Sequence, residues 1–108
     1  MAFVGNILAN GQLPNAKGTL YTVPALTTAY VKFVNGYNTG AGSETVVFYV
    51  KKAAGTSRVL GRAVLAADEQ TRVVDKEETI TLGAGDQIEG ETTTAATVDY
   101  LITGVEES

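Results

Sequence analysis

The residues of this chain that could do chemistry are two loose groups of carboxylates, one glycine-rich turn, three serines and five tyrosines. Asp68, Glu69, Asp75, Glu77 and Glu78 form the first acidic group, and Asp86, Glu89 and Glu91 the second. A pair of carboxylates can cut a glycosidic bond, one as acid and the other as base or nucleophile. A calcium ion needs a pre-shaped loop of oxygens, and no D-x-D-x-D-G pattern supplies one. Solvated charge on loops and strand edges accounts for both groups, and such charge discourages edge-to-edge strand pairing.

The turn Leu82-Gly83-Ala84-Gly85-Asp86-Gln87 has the glycines of a phosphate cradle. It lacks the Gly-Lys-Ser/Thr ending of a P-loop and a following helix, and its spacing misses G-x-G-x-x-G. It reads as a turn between strands, where glycine takes positive φ and Asp86 bonds nearby backbone. Ser43, Ser57 and Ser108 have no His to activate them and no G-x-S-x-G elbow, and nothing recommends a pairing with Lys51 or Lys52. Tyr21, Tyr30, Tyr37, Tyr49 and Tyr100 could stack on sugar rings; half-buried sheet positions with hydroxyls at the rim explain them as well. The expectation is a protein that is not an enzyme, with no catalytic residues, no cofactor and no metal.

Composition narrows the classes further. The 108 residues suit one domain, and the absence of Cys removes both disulfides and zinc–thiolate sites. The absence of His removes the commonest general base and transition-metal ligand. A net charge of −4 without a basic cluster argues against nucleic acid and against an anionic membrane surface. No apolar run is long enough to span a bilayer as a helix. The first residues lack the basic and apolar blocks of a signal peptide, so synthesis in a cytoplasm is expected.

The elements that must position these residues read as strands. Fifteen Thr and abundant Val favour a pleated surface. Apolar alternation marks body strands over residues 17–23, 27–37, 44–52, 57–66, 70–74, 77–82, 87–91 and 97–106. Within 27–37, Ala29, Val31 and Phe33 should share one face; Val46, Phe48 and Val50 do so in 44–52. Residues 60–70 have a helical composition, but a strand followed by a turn is favoured. Some eight short strands at regular spacing predict an all-β, single antiparallel β-sandwich, jelly-roll-like, over residues 17–108. Residues 1–16 form an N-terminal arm or an edge strand before it.

Three pieces also stand in order: Leu20-Tyr21-Thr22-Val23-Pro24-Ala25, Leu82-Gly83-Ala84-Gly85-Asp86-Gln87-Ile88 and Gly104-Val105-Glu106. In this order the chain, over residues 17–107, resembles small tailed-bacteriophage virion proteins. That group often has Gly where this chain has Leu26. The resemblance implies a β-sandwich with a structural role in the virion: a capsid decoration (cement) protein bound to the major capsid protein. It would be a homo-oligomer, a trimer favoured. The alternative is a carbohydrate- or receptor-binding accessory of the tail or fibre, with residues 36–43 and 91–96 as contact loops. The apolar side chains Phe3, Val4, Ile7 and Leu8 are the candidate protein contacts, because an arm reaching a neighbouring subunit would bury them.

Overall fold

In the strand that runs through the centre of the molecule, Val46 and Phe48 are fully buried while Thr45, Val47 and Tyr49 face outward. This period of two is what a strand with one buried face requires. The computed structural model describes residues 3–74 and 79–108, with side chains from residue 7 onward. Among them lie nine strands: β1 (Phe3–Gln12), β2 (Gly18–Thr22), β3 (Thr28–Asn38), β4 (Glu44–Lys51), β5 (Ser57–Leu65), β6 (Gln70–Val74), β7 (Ile80–Leu82), β8 (Gln87–Thr92) and β9 (Val98–Glu107). Residues 60–70, where a helix competed, run from strand β5 through a turn to the first residue of β6.

The pairing is that of one long hairpin rolled up. β4 pairs with β5, β3 with β6 and β7, β2 with β8, and β1 with β9, all antiparallel. Rolling joins β3 to β9 and β4 to β8. Two sheets result, β1-β9-β3-β6 with β7 also on β3, and β2-β8-β4-β5. This order is a jelly roll in which the sixth strand position is split between β6 and β7, both paired with β3. The β-sandwich expected from the sequence is therefore the fold.

The core between the sheets is filled by Phe48, Leu13, Val31, Val34, Val46, Ile88, Val98 and Ile102, each no more than 1% exposed. β-Bulges decide which side chains reach it. One at Lys32 shifts the β3 register, so Val34 rather than Phe33 turns inward, and Phe33 lies outside beneath Arg72. A single extra residue inverts every side chain beyond it, which simple alternation cannot foresee. A second bulge at Leu60 keeps Val59 and Val64 on the outer surface, each 64% exposed. Two glycines mark close approaches. A Cβ at Gly104 would overlap the Tyr30 carbonyl on β3, and one at Gly61 would overlap the Val73 side chain, where β5 crosses β6.

The loops gather at two ends. One end holds residues 23–27, the β4–β5 turn, residues 83–86 and the Phe3–Glu107 pair. The other holds residues 13–17, 39–43, 66–69 and 93–97. Buried polar side chains close both. Asn38, fully buried, donates from Nδ2 to the carbonyls of Gly42 and Leu65 at 2.8 and 3.0 Å and accepts from the Gly40 amide. Residues 36–38 therefore belong to β3, and the loop expected over 36–43 shrinks to 39–43.

Candidate functional site

Two buried carboxylates, Asp86 and Glu44, are occupied in holding the fold. Asp86, 3% exposed, accepts from Lys52 Nζ, the Ala53 amide and the Gly83 amide at 2.9, 2.9 and 3.0 Å. Burial works to raise its pKa, but those bonds prevail and hold it below the usual carboxylate range. Glu44 is alike: burial opposes its charge, while the Thr94 amide and the hydroxyls of Thr97, Thr92 and Thr94 stabilise it and lower its pKa. The glycine-rich turn is thus a closed turn around Asp86.

Among the described residues, neither acidic group assembles into a site. Asp75, Glu77 and Glu78 lie outside the described residues. Glu69 accepts the Ala66 amide across the β5–β6 turn, and Asp68 accepts the Tyr37 hydroxyl. Glu89 and Glu91 sit on the outer face of β8, bonded by Ser57 and Tyr49 respectively, whereas Asp86 belongs to the end turn. Among the described residues no group of three or more His, Cys, Asp or Glu could hold a metal ion.

Four tyrosines likewise donate to carboxylates rather than standing free as a stacking platform: Tyr21 to Glu106 at 2.6 Å, Tyr30 to Glu107 at 3.0 Å, Tyr37 to Asp68 at 3.3 Å, and Tyr49 to Glu91. Lys17 also lies over the Tyr49 ring.

What remains is the surface, and its organisation follows the sheet edges. β1 and β2 lie together on one side of the sandwich; β5 and β6 lie together on the other. β1 (FVGNILANGQ) and β2 (GTLYT) contain no charged residue and no proline. Natural edges are usually blunted by such residues, and the bulge at Leu8 is the one such device β1 carries. The opposite edges hold all three arginines of the chain, Arg58 and Arg62 on β5 and Arg72 on β6, and no acid. The strands just inside β1 and β2 are acidic: Glu89 and Glu91 on β8, and Asp99, Glu106 and Glu107 on β9, with no base. Along the described strands, β5 and β6 thus carry arginine, with Asp68 and Glu69 in the turn between them, while β1 and β2 are uncharged and lie beside the acidic strands β8 and β9.

The residues singled out at the N-terminus fall on β1. The backbones of Phe3 and Val4 pair with Glu107 and Glu106; their side chains lie outside those described. Ile7 points outward and is 54% exposed, while Leu8, at the bulge, packs against the core. Sequence reasoning missed Val59, Val64 and Leu26 as exposed apolar positions, the last 92% exposed. Arginine clustering on two neighbouring runs was the available signal, but only the pairing order makes those runs edges.

No protein-family model matches the sequence, and no curated protein sequence matches it. Among solved structures, one described as Bacillus endospore appendages that form a novel family of disulfide-linked pili is similar in fold. The TM-score is 0.52 at 16% identity, over 98% of this chain and 88% of that one. The expectation of a bacteriophage capsid decoration protein, with the major capsid protein as partner, is corrected by this finding: the solved structure similar in fold is described as a pilus and not as a capsid protein. The physical reason lies in the pieces behind the resemblance. The Val23 amide donates to the Asp86 carbonyl, the Gly85 amide to the Val23 carbonyl, and Tyr21 to Glu106. All three pieces meet at one end of the sandwich and close it, so they specify a jelly-roll end and not a virion. The chain is similar in fold to a subunit of bacterial spore pili.

Proposed function

We propose that this protein is a non-enzymatic structural subunit that polymerises with copies of itself, in the manner of a pilus subunit. The observation that carries the reading is the fold likeness to the spore-appendage pilus along 98% of the chain. The two unlike sides of the sandwich support it. An arginine-bearing edge on one copy and an uncharged edge backed by carboxylates on the next are complementary. Contact between unlike sides is head-to-tail, and where its rotation does not close a ring it propagates as a filament. Strand addition at an edge supplies main-chain hydrogen bonds for it.

The chain has no Cys, so copies of it cannot be joined by disulfides as in the disulfide-linked pili. Its polymer rests on non-covalent contacts and is indifferent to reductant. Electron microscopy and light scattering of the purified chain test the reading. Filaments or large, salt-sensitive assemblies that persist in excess dithiothreitol support it. A strict monomer at millimolar concentration and low salt overturns it.

A further inference from the structure

At the end of the sandwich that carries the Phe3–Glu107 pair, residues 24–27 turn between β2 and β3. Leu26, at the apex, has φ 59° and is 92% exposed. Left-handed backbone is disfavoured for a residue with a bulky side chain, and turns that need it ordinarily use Gly or Asn. Three other non-glycine residues have positive φ, but they are Ala54, Asp68 and Ala96, small or polar. Among the described residues, only Leu26 combines positive φ with a large, exposed apolar side chain.

Four residues further along, the outer face of the β1-β9-β3-β6 sheet carries a shallow, mainly apolar hollow of about 300 Å³, lined by Tyr30, Lys32, Thr79 and Val105. It is open to solvent, and Leu26 of the same chain, at 92% exposure, does not fill it. An exposed aliphatic knob and an apolar hollow therefore stand on one molecule, Leu26 being four residues from Tyr30 along the chain. Under a two-fold axis both knobs could enter both hollows at once, because an isologous contact uses one patch twice.

We infer that Leu26 is an assembly knob that inserts into the Tyr30–Lys32–Thr79–Val105 hollow of a second copy of this chain. This rests on the self-assembly reading and adds a contact distinct from the sheet edges. It also accounts for the strain: unfavourable backbone retained at an exposed tip is the pattern of a residue kept for binding.

The test uses the full chain, with melting temperature and concentration-dependent sedimentation measured together. Leu26→Gly removes the knob and relieves the backbone. It should raise the melting temperature by about 2–5 °C while weakening self-association roughly ten- to a hundredfold. Ala96→Gly gives the same backbone relief at the other end and should leave association unchanged. Thr79→Arg, at an exposed position, should crowd the hollow and weaken association without lowering the melting temperature. If wild type assembles and Leu26→Gly assembles equally well, the knob is overturned and the self-assembly reading stands. If wild type stays monomeric, that reading fails first.

Discussion

The Tyr21 hydroxyl donates to the Glu106 carboxylate at 2.6 Å, tying β2 in one sheet to the end of β9 in the other. The bond spans 85 residues of sequence and closes the end of the jelly roll where the turn around Asp86 also sits. Tyr21→Phe keeps the ring in the core and removes the bond. It should lower stability by about 1–2 kcal/mol with the fold intact, read as a shift in urea midpoint at unchanged slope.

All five tyrosines have raised pKa values. For Tyr21 and Tyr37 burial is the first cause and the neighbouring carboxylate adds to it; for Tyr30 and Tyr49 the bond to Glu107 or Glu91 comes first; for Tyr100 burial acts alone. A group whose folded pKa lies above its unfolded value of 10.0 contributes stability that is full below that pH and is lost as pH rises beyond it. Stability should therefore fall above pH 10, and phenolate absorbance near 295 nm should appear late and together with unfolding. Tyrosines titrating freely at their ordinary pKa in the folded protein would contradict these bonds.

Glu44 and Asp86 act in the opposite range. Their pKa values are lowered in the fold, so their contribution is present above the ordinary carboxylate pKa and is lost as pH falls through the folded values. Acid unfolding should begin below about pH 4. Asp86→Ala strands the Ala53 and Gly83 amides and should cost about 2–3 kcal/mol. Lys52→Ala should cost under about 1 kcal/mol, because the lysine side chain is 74% exposed and both amide bonds to Asp86 survive. Chemical denaturation of the two variants checks the ratio.

At Gly104 any side chain meets the Tyr30 carbonyl. Gly104→Ala should push β9 away from β3 and cost about 2–3 kcal/mol. Gly42, with nothing within 4 Å of an added Cβ, is the control: Gly42→Ala should change the melting temperature little.

The N-terminal strand separates two roles. Deleting residues 1–10 removes most of β1 together with Leu8 and Ala9, which pack on the core, so the truncated chain should be markedly less stable. Ile7→Lys adds charge to the exposed face of that edge and should leave stability within about 0.5 kcal/mol while reducing self-association. Sedimentation and thermal melts of the two variants distinguish them.

Strand positions were determined by the sequence alone, because alternation and turn residues are local. Val46, Phe48 and their outward neighbours define β4 without reference to anything else, and Gly83 to Asp86 define a turn wherever they stand. The inward face was legible only as far as the first bulge. Strict alternation puts Phe33 on the face of Ala29 and Val31, and the extra residue at Lys32 puts Val34 there instead. Bulges arise from register between strands distant in sequence, so no local pattern announces them. The candidate surface was less legible still. That β1 and β2 share one side and the three arginines the other depends on rolling the long hairpin, which brings β1 beside β9 and β5 beside β6. Leu26 was visible as an oddity in a turn, but its exposure and the hollow near it exist only once β3, β7 and β9 lie side by side.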